Sequence, residues 1–135
     1  MKSRLLLSAH WLMEEDVAQR VVLLRRMALP FSSLDELSNA NQEVVRLIRP
    51  EHRAWGIVVD MRQAPARNDP SFESAMRGLR DAVELRFART AVLLGTAVGL
   101  LQVTRLTRED GATSLATQNE AEALRFARGQ PVQKS

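Results

Sequence analysis

Asp60 and Asp69 bracket the segment MRQAPARN, and Ser71 and Ser74 follow directly. A carboxylate that ends an apolar run, as Asp60 ends GIVVD, has the chemistry of a metal ligand or a general base. A serine on the first turn of a helix has another use. A phosphate on Ser71 would meet free backbone amides and the positive end of the helix dipole, with Arg67 at hand as a counter-charge. Each reading has a plainer competitor. Asp69 precedes Pro70 and an apolar face, the position of a helix N-cap, and Ser71 is tolerated early in any helix. Acyl-phosphate chemistry would need an acidic cluster and a lysine after a central strand, whereas the only lysines are Lys2 and Lys134.

Other chemistry is thinly represented. With no cysteine, thiolate ligands, disulfides and cysteine nucleophiles are excluded. His10 and His52 are far apart and lack metal-ligand spacing, so both are expected at the surface or at strand ends. No G-x-S-x-G elbow, G-x-G-x-x-G loop or G-x-x-x-x-G-K-[ST] loop occurs. The expectation is therefore no catalytic residue, no metal and no cofactor.

The elements that must position Asp60 and Ser71 are legible around them. Gly56 to Met61 is a short β-branched run, as in a central parallel strand. After the Asp69 cap, Phe72, Ala75, Met76, Leu79 and Val83 make one helical face. Thr90 to Leu94 reads as a second buried strand, adjacent and parallel to the first, with Gly95 turning out of it. Upstream, Ser8 to Met13 and Arg20 to Arg26 suggest a hairpin connected by Glu14, Glu15 and Asp16. Ser33 and Glu36 form a capping box for a helix whose core face carries Leu34, Leu37, Val44, Val45 and Ile48, stopped by Pro50. Downstream, Ala97 to Thr107 is expected to be helical and Ala112 to Thr117 an edge strand. Asn119 and Glu122 open a final helix that Gly129 ends.

The sum is an α/β fold: a small mixed sheet of about five strands with four helices packed against it. Its 135 residues suit one domain, with a core over about residues 8–129 and a frayed tail at 130–135. The net charge is only +3, and arginines are interleaved with acids over the whole chain, so no stripe for nucleic acid is expected. Lys2 and Arg4 before Leu5 to Leu7 make too short a run for a signal peptide, and no window has the length of a membrane span. The expected location is the cytoplasm.

The element order, together with VVDMRQAPARNDPSFESAM, resembles the STAS domain of bacterial anti-sigma-factor antagonists over roughly Trp11 to Arg128. In that family an acidic or amide residue ends a strand, and an acidic residue opens the next helix just before a serine that is phosphorylated. Asp60 and Asp69 match those two acids, while Pro70 stands where the serine belongs and Ser71 falls one place later. The resemblance implies a regulatory module that docks another protein, for example a kinase-like partner, at the strand-end rim. The docking residues are expected to be Arg62, Arg67, Asn68, Asp69, Ser71 and Ser74, with Ser71 the candidate phosphorylation site. A self-associating scaffold subunit and a small-ligand-binding domain at the same rim are the alternatives.

Overall fold

The computed structural model describes residues 2–65, 69–101 and 114–130. Their strands are β1 (Lys2–Leu7), β2 (Trp11–Asp16), β3 (Val21–Arg26), β4 (Gly56–Asp60), β5 (Arg89–Leu93) and β6 (Ser114–Thr117). They form one sheet in the order β1-β2-β3-β4-β5-β6. The first three make an antiparallel meander, and β3 to β6 run parallel. The mixed α/β architecture is therefore the expected one, and Gly56–Asp60 and Arg89–Leu93 are adjacent parallel strands.

Helices follow the parallel strands. They are α1 (Leu34–Arg46), a short 3-10 helix (Pro50–Ala54), α2 (Pro70–Arg86), α3 (residues 97–101 as far as it is described) and α4 (Glu120–Ala127). Side chains alternate across a strand, so β4 feeds two cores at once. Ile57 joins Trp11, Met13, Val22 and Leu24 beneath Val44 of α1 and Leu79 and Val83 of α2. Its neighbour Val58 joins Val21, Ala91 and Leu93 beneath Ala123 and Ala127 of α4. The last contact is very close. A Cβ on Gly56 would stand 1.8 Å from the Ala127 carbonyl oxygen, so α4 rests directly on bare backbone. Arg89 Nε donates to that carbonyl at 3.1 Å, and Gly129 ends α4 at φ 78°, a left-handed conformation.

Three features depart from the sequence expectation. Lys2–Leu7 is a sixth strand, paired to β2 with Lys2 opposite Asp16 and Arg4 opposite Glu14. These opposite charges favour a segment that has no alternation of its own. The acids expected in the hairpin connector are instead the end of β2. The turn lies beyond them, with Asp16 Oδ1 accepting from the Gln19 amide at 3.2 Å and Arg20 at φ 55°. Leu34, assigned to the core face of α1, is 45% exposed because it opens the helix at the rim. The expected helix Ala97 to Thr107 and strand Ala112 to Thr117 are helical at 97–101 and extended at 114–117; the rest of both segments lies outside the described residues.

Candidate functional site

The carboxyl ends of the parallel strands form one edge of the molecule, the usual location for a site in an open α/β sheet. Asp60 ends β4 there and is buried at 2% exposure. Arg25, its register partner on β3, donates from Nε to Oδ2 at 3.1 Å. Arg62 closes around the same carboxylate three times, through its backbone N–H to Oδ1 (3.1 Å), Nε to Oδ1 (3.0 Å) and Nη2 to Oδ2 (2.8 Å). Each oxygen thus accepts two bonds, which fills the roughly four acceptor sites of a carboxylate. Burial alone would push the Asp60 carboxyl up, but the bonds from Arg62 and Arg25 outweigh it and hold the group below the usual carboxylate range. Arg62 is correspondingly raised by its bond to Asp60, and its Nη1 stands 3.6 Å from Glu120 at the start of α4.

Neighbouring backbone completes this edge. The Met61 amide continues the ladder to the Leu93 carbonyl at 2.8 Å, and a Cβ on Gly95 would lie 3.3 Å from the Arg62 carbonyl oxygen. The exits of β4 and β5 therefore run against each other. At the head of α2, Asp69 Oδ1 accepts from the Ser71 amide at 2.9 Å, the N-cap expected of it. Ser71 and Ser74 are exposed, and their three-residue spacing sets them along one side of α2.

The rim therefore gathers Arg62 beside Asp60 and sets Asp69 beside Ser71, whereas Arg67 and Asn68 lie outside the described residues. Arg25 and Glu120 were not anticipated. Nothing local to either marks it; the strand register brings Arg25 to Asp60 and the placement of α4 brings Glu120 to Arg62. The exposed leucines and valine near this edge were also missed: Leu29 at 52% and Leu34 at 45% follow β3, and Val98 at 66% and Leu101 at 69% follow β5. Among the described residues, hollows flank the α-helices in two places. One of about 540 Å³ runs between α1 and α2 over Asn41, Val45, Ala75, Gly78 and Ala82. A smaller one of about 120 Å³ lies between α4 and the β1–β2 hairpin, over Val21, Leu23, Val58 and Leu93.

His52, inside the 3-10 helix, departs from the expectation, and His10 meets it in part, standing at a strand end just before β2 but buried. His10 is 9% exposed, stacked on Phe31 at 4.3 Å with Nε2 2.9 Å from Glu36 Oε1, and His52 is fully buried. Among the described residues, no group of three or more His, Asp or Glu is placed to hold a metal ion, and no helix is long and apolar enough to cross a membrane. No family model, curated protein or solved structure matches the chain.

Proposed function

We propose that the chain is a non-catalytic, cytoplasmic regulatory module that docks another protein through the rim from Arg62 to Ser74, as its resemblance to STAS domains implies. The observation that carries this reading is how the rim uses its charges. Asp60 has every acceptor site occupied by Arg25 and Arg62, and Asp69 caps α2, so both carboxylates serve to hold the edge in shape. Among the described residues, the edge offers outward, beside the part-exposed Arg62 and Glu120, hydroxyl and apolar surface: Ser71 and Ser74 on α2, Leu29 and Leu34 before and at α1, and Val98 and Leu101 on α3. Exposed apolar side chains rimmed by polar groups favour association with another protein surface.

The test is affinity capture from the native cells followed by identification of the bound protein by mass. Ser74→Arg and Val98→Arg should each abolish capture of the same partner, while a substitution at the far end of α2, Leu85→Arg, should not. Equal capture by all three variants would contradict the reading. The self-associating alternative has one observation in its favour, the 74% exposure of Leu85, one helical turn beyond Ala82 of the groove between α1 and α2. It requires a concentration-dependent mass that Leu85→Arg reduces to that of a single chain.

A further inference from the structure

Glu15 points from β2 into the buried core face, where an acid must be paired to be tolerated. Its partners come from the loop before β4. Arg49 Nη2 donates to Oε1 at 2.6 Å and also to Oε2, and His52 Nε2 stands 2.9 Å from Oε2. The opposite ring nitrogen of His52, Nδ1, accepts the Arg49 backbone N–H at 3.1 Å. That bond fixes the tautomer: Nδ1 is the acceptor, so the ring proton sits on Nε2 and is donated to Glu15.

His52 is sealed in place. Phe87, at the end of α2, stacks on the ring at 5.4 Å and Trp55 covers it at 4.8 Å. Glu51 pairs with Arg49 Nε at 3.1 Å on the outer side. The charged groups that bond within this cluster are Glu15 from β2 and Arg49 and Glu51 from the turn, while the end of α2 brings the Phe87 ring against His52. The 3-10 turn itself is held by His52 N–H to the Arg49 carbonyl (3.0 Å) and Trp55 N–H to the His52 carbonyl (2.9 Å). It leads directly into Gly56 and β4.

We propose that this cluster is a proton-sensitive latch. A proton that reaches Nδ1 in a transient opening of the turn makes that atom a donor, which on reclosure would stand against the Arg49 N–H in a buried site. Glu15 faces the other ring nitrogen, so its attraction for the ring does not relieve the clash at Nδ1. The ring and the turn must part, which frees the Arg49 amide and loosens the entry into β4 while the parallel strands stay paired. The latch lies at the amino end of the parallel strands, opposite the docking rim, and does not depend on the docking proposal.

Nitrogen-15 NMR of the full chain tests it, because ring nitrogen shifts report the tautomer and amide exchange reports the turn. At neutral pH the ring should be the Nε2–H tautomer. As acidification places the second proton on it, protection of the Arg49 and Trp55 amides should fall roughly tenfold or more, with Val58 and Val92 unchanged. His52→Asn retains an oxygen near the Nδ1 position without titrating, so its Arg49 protection should not vary with pH. Three results would overturn the latch: an Nδ1–H tautomer at neutral pH, a doubly protonated ring with Arg49 still protected, or a ring that stays singly protonated until the whole sheet unfolds. The wild-type spectra decide the matter even where His52→Asn does not fold.

Discussion

Replacing Asp60 with Asn removes the charge at the centre of the rim while preserving shape. In the wild type, two arginines deliver four hydrogen bonds to a carboxylate with 3% of its side chain exposed. An Asn oxygen can accept two of these, but its amide group then faces guanidinium donors. Breaking a fully buried ion pair costs about 3–5 kcal/mol. Arg25 and Arg62 are 30% and 37% exposed and can turn to water, so the cost here is smaller, about 2–3 kcal/mol. For a chain of this length that is a fall of about 7–10 °C in Tm.

The pH dependence sharpens the test. Asp60 is held below its ordinary value when folded, so its contribution is present above the unfolded pKa of about 3.9 and is lost as pH falls through the lower folded value. Urea denaturation of both proteins at pH 7 should show the full gap, and a series below pH 4 should show it closing as the wild-type carboxyl becomes neutral. No gap at pH 7, or an undiminished gap at pH 3, would refute the reasoning.

Other outcomes follow from the same geometry. Gly56→Ala should cost about 3 kcal/mol by urea denaturation and raise amide exchange first in α4, because the new Cβ collides with the Ala127 carbonyl. Asp69→Ala should cost about 1 kcal/mol by uncapping α2 and leave exchange in the sheet unchanged. Ser71→Glu should shift stability by less than about 0.5 kcal/mol, since the helix dipole that welcomes the charge is opposed by Asp69 and Glu73. Phosphopeptide mapping of the protein from its native cells should find Ser71 unmodified, and a substantial phosphorylated fraction would replace constitutive docking with a switch.

What the sequence revealed was local. The Asp69 cap, the Ser33 hydroxyl accepting from the Glu36 amide, and the apolar runs of β4 and β5 are each written in a few consecutive residues and reappear in the structure. Even there a long-range term intervenes, since the Glu36 carboxylate turns to Ser32 and to His10 rather than completing the box. The features that went unread depend on distant partners. β1 is a strand because β2 supplies opposite charges and a ladder, with a register shift between Arg4 and Leu6 that blurs any alternation. Glu15 looks like a turn residue until His52 and Arg49, far along the chain, meet it in the core. Asp60 was legible as a strand-end acid, whereas its saturation by Arg25 and Arg62 required the β3–β4 register. Exposure of Leu29, Leu34, Val98 and Leu101 is a property of the assembled edge and has no signature in their neighbours.

Hydrogen-exchange footprinting of the captured complex against the free chain is the most direct test of docking at the rim. The account predicts new protection at Arg62 to Ala64, through Ser71 to Ala75 on α2, and at Val98 to Leu101, with β1 and α4 unchanged. Protection confined to the β1 edge, to α4, or to the far end of α2 around Leu85 would contradict it.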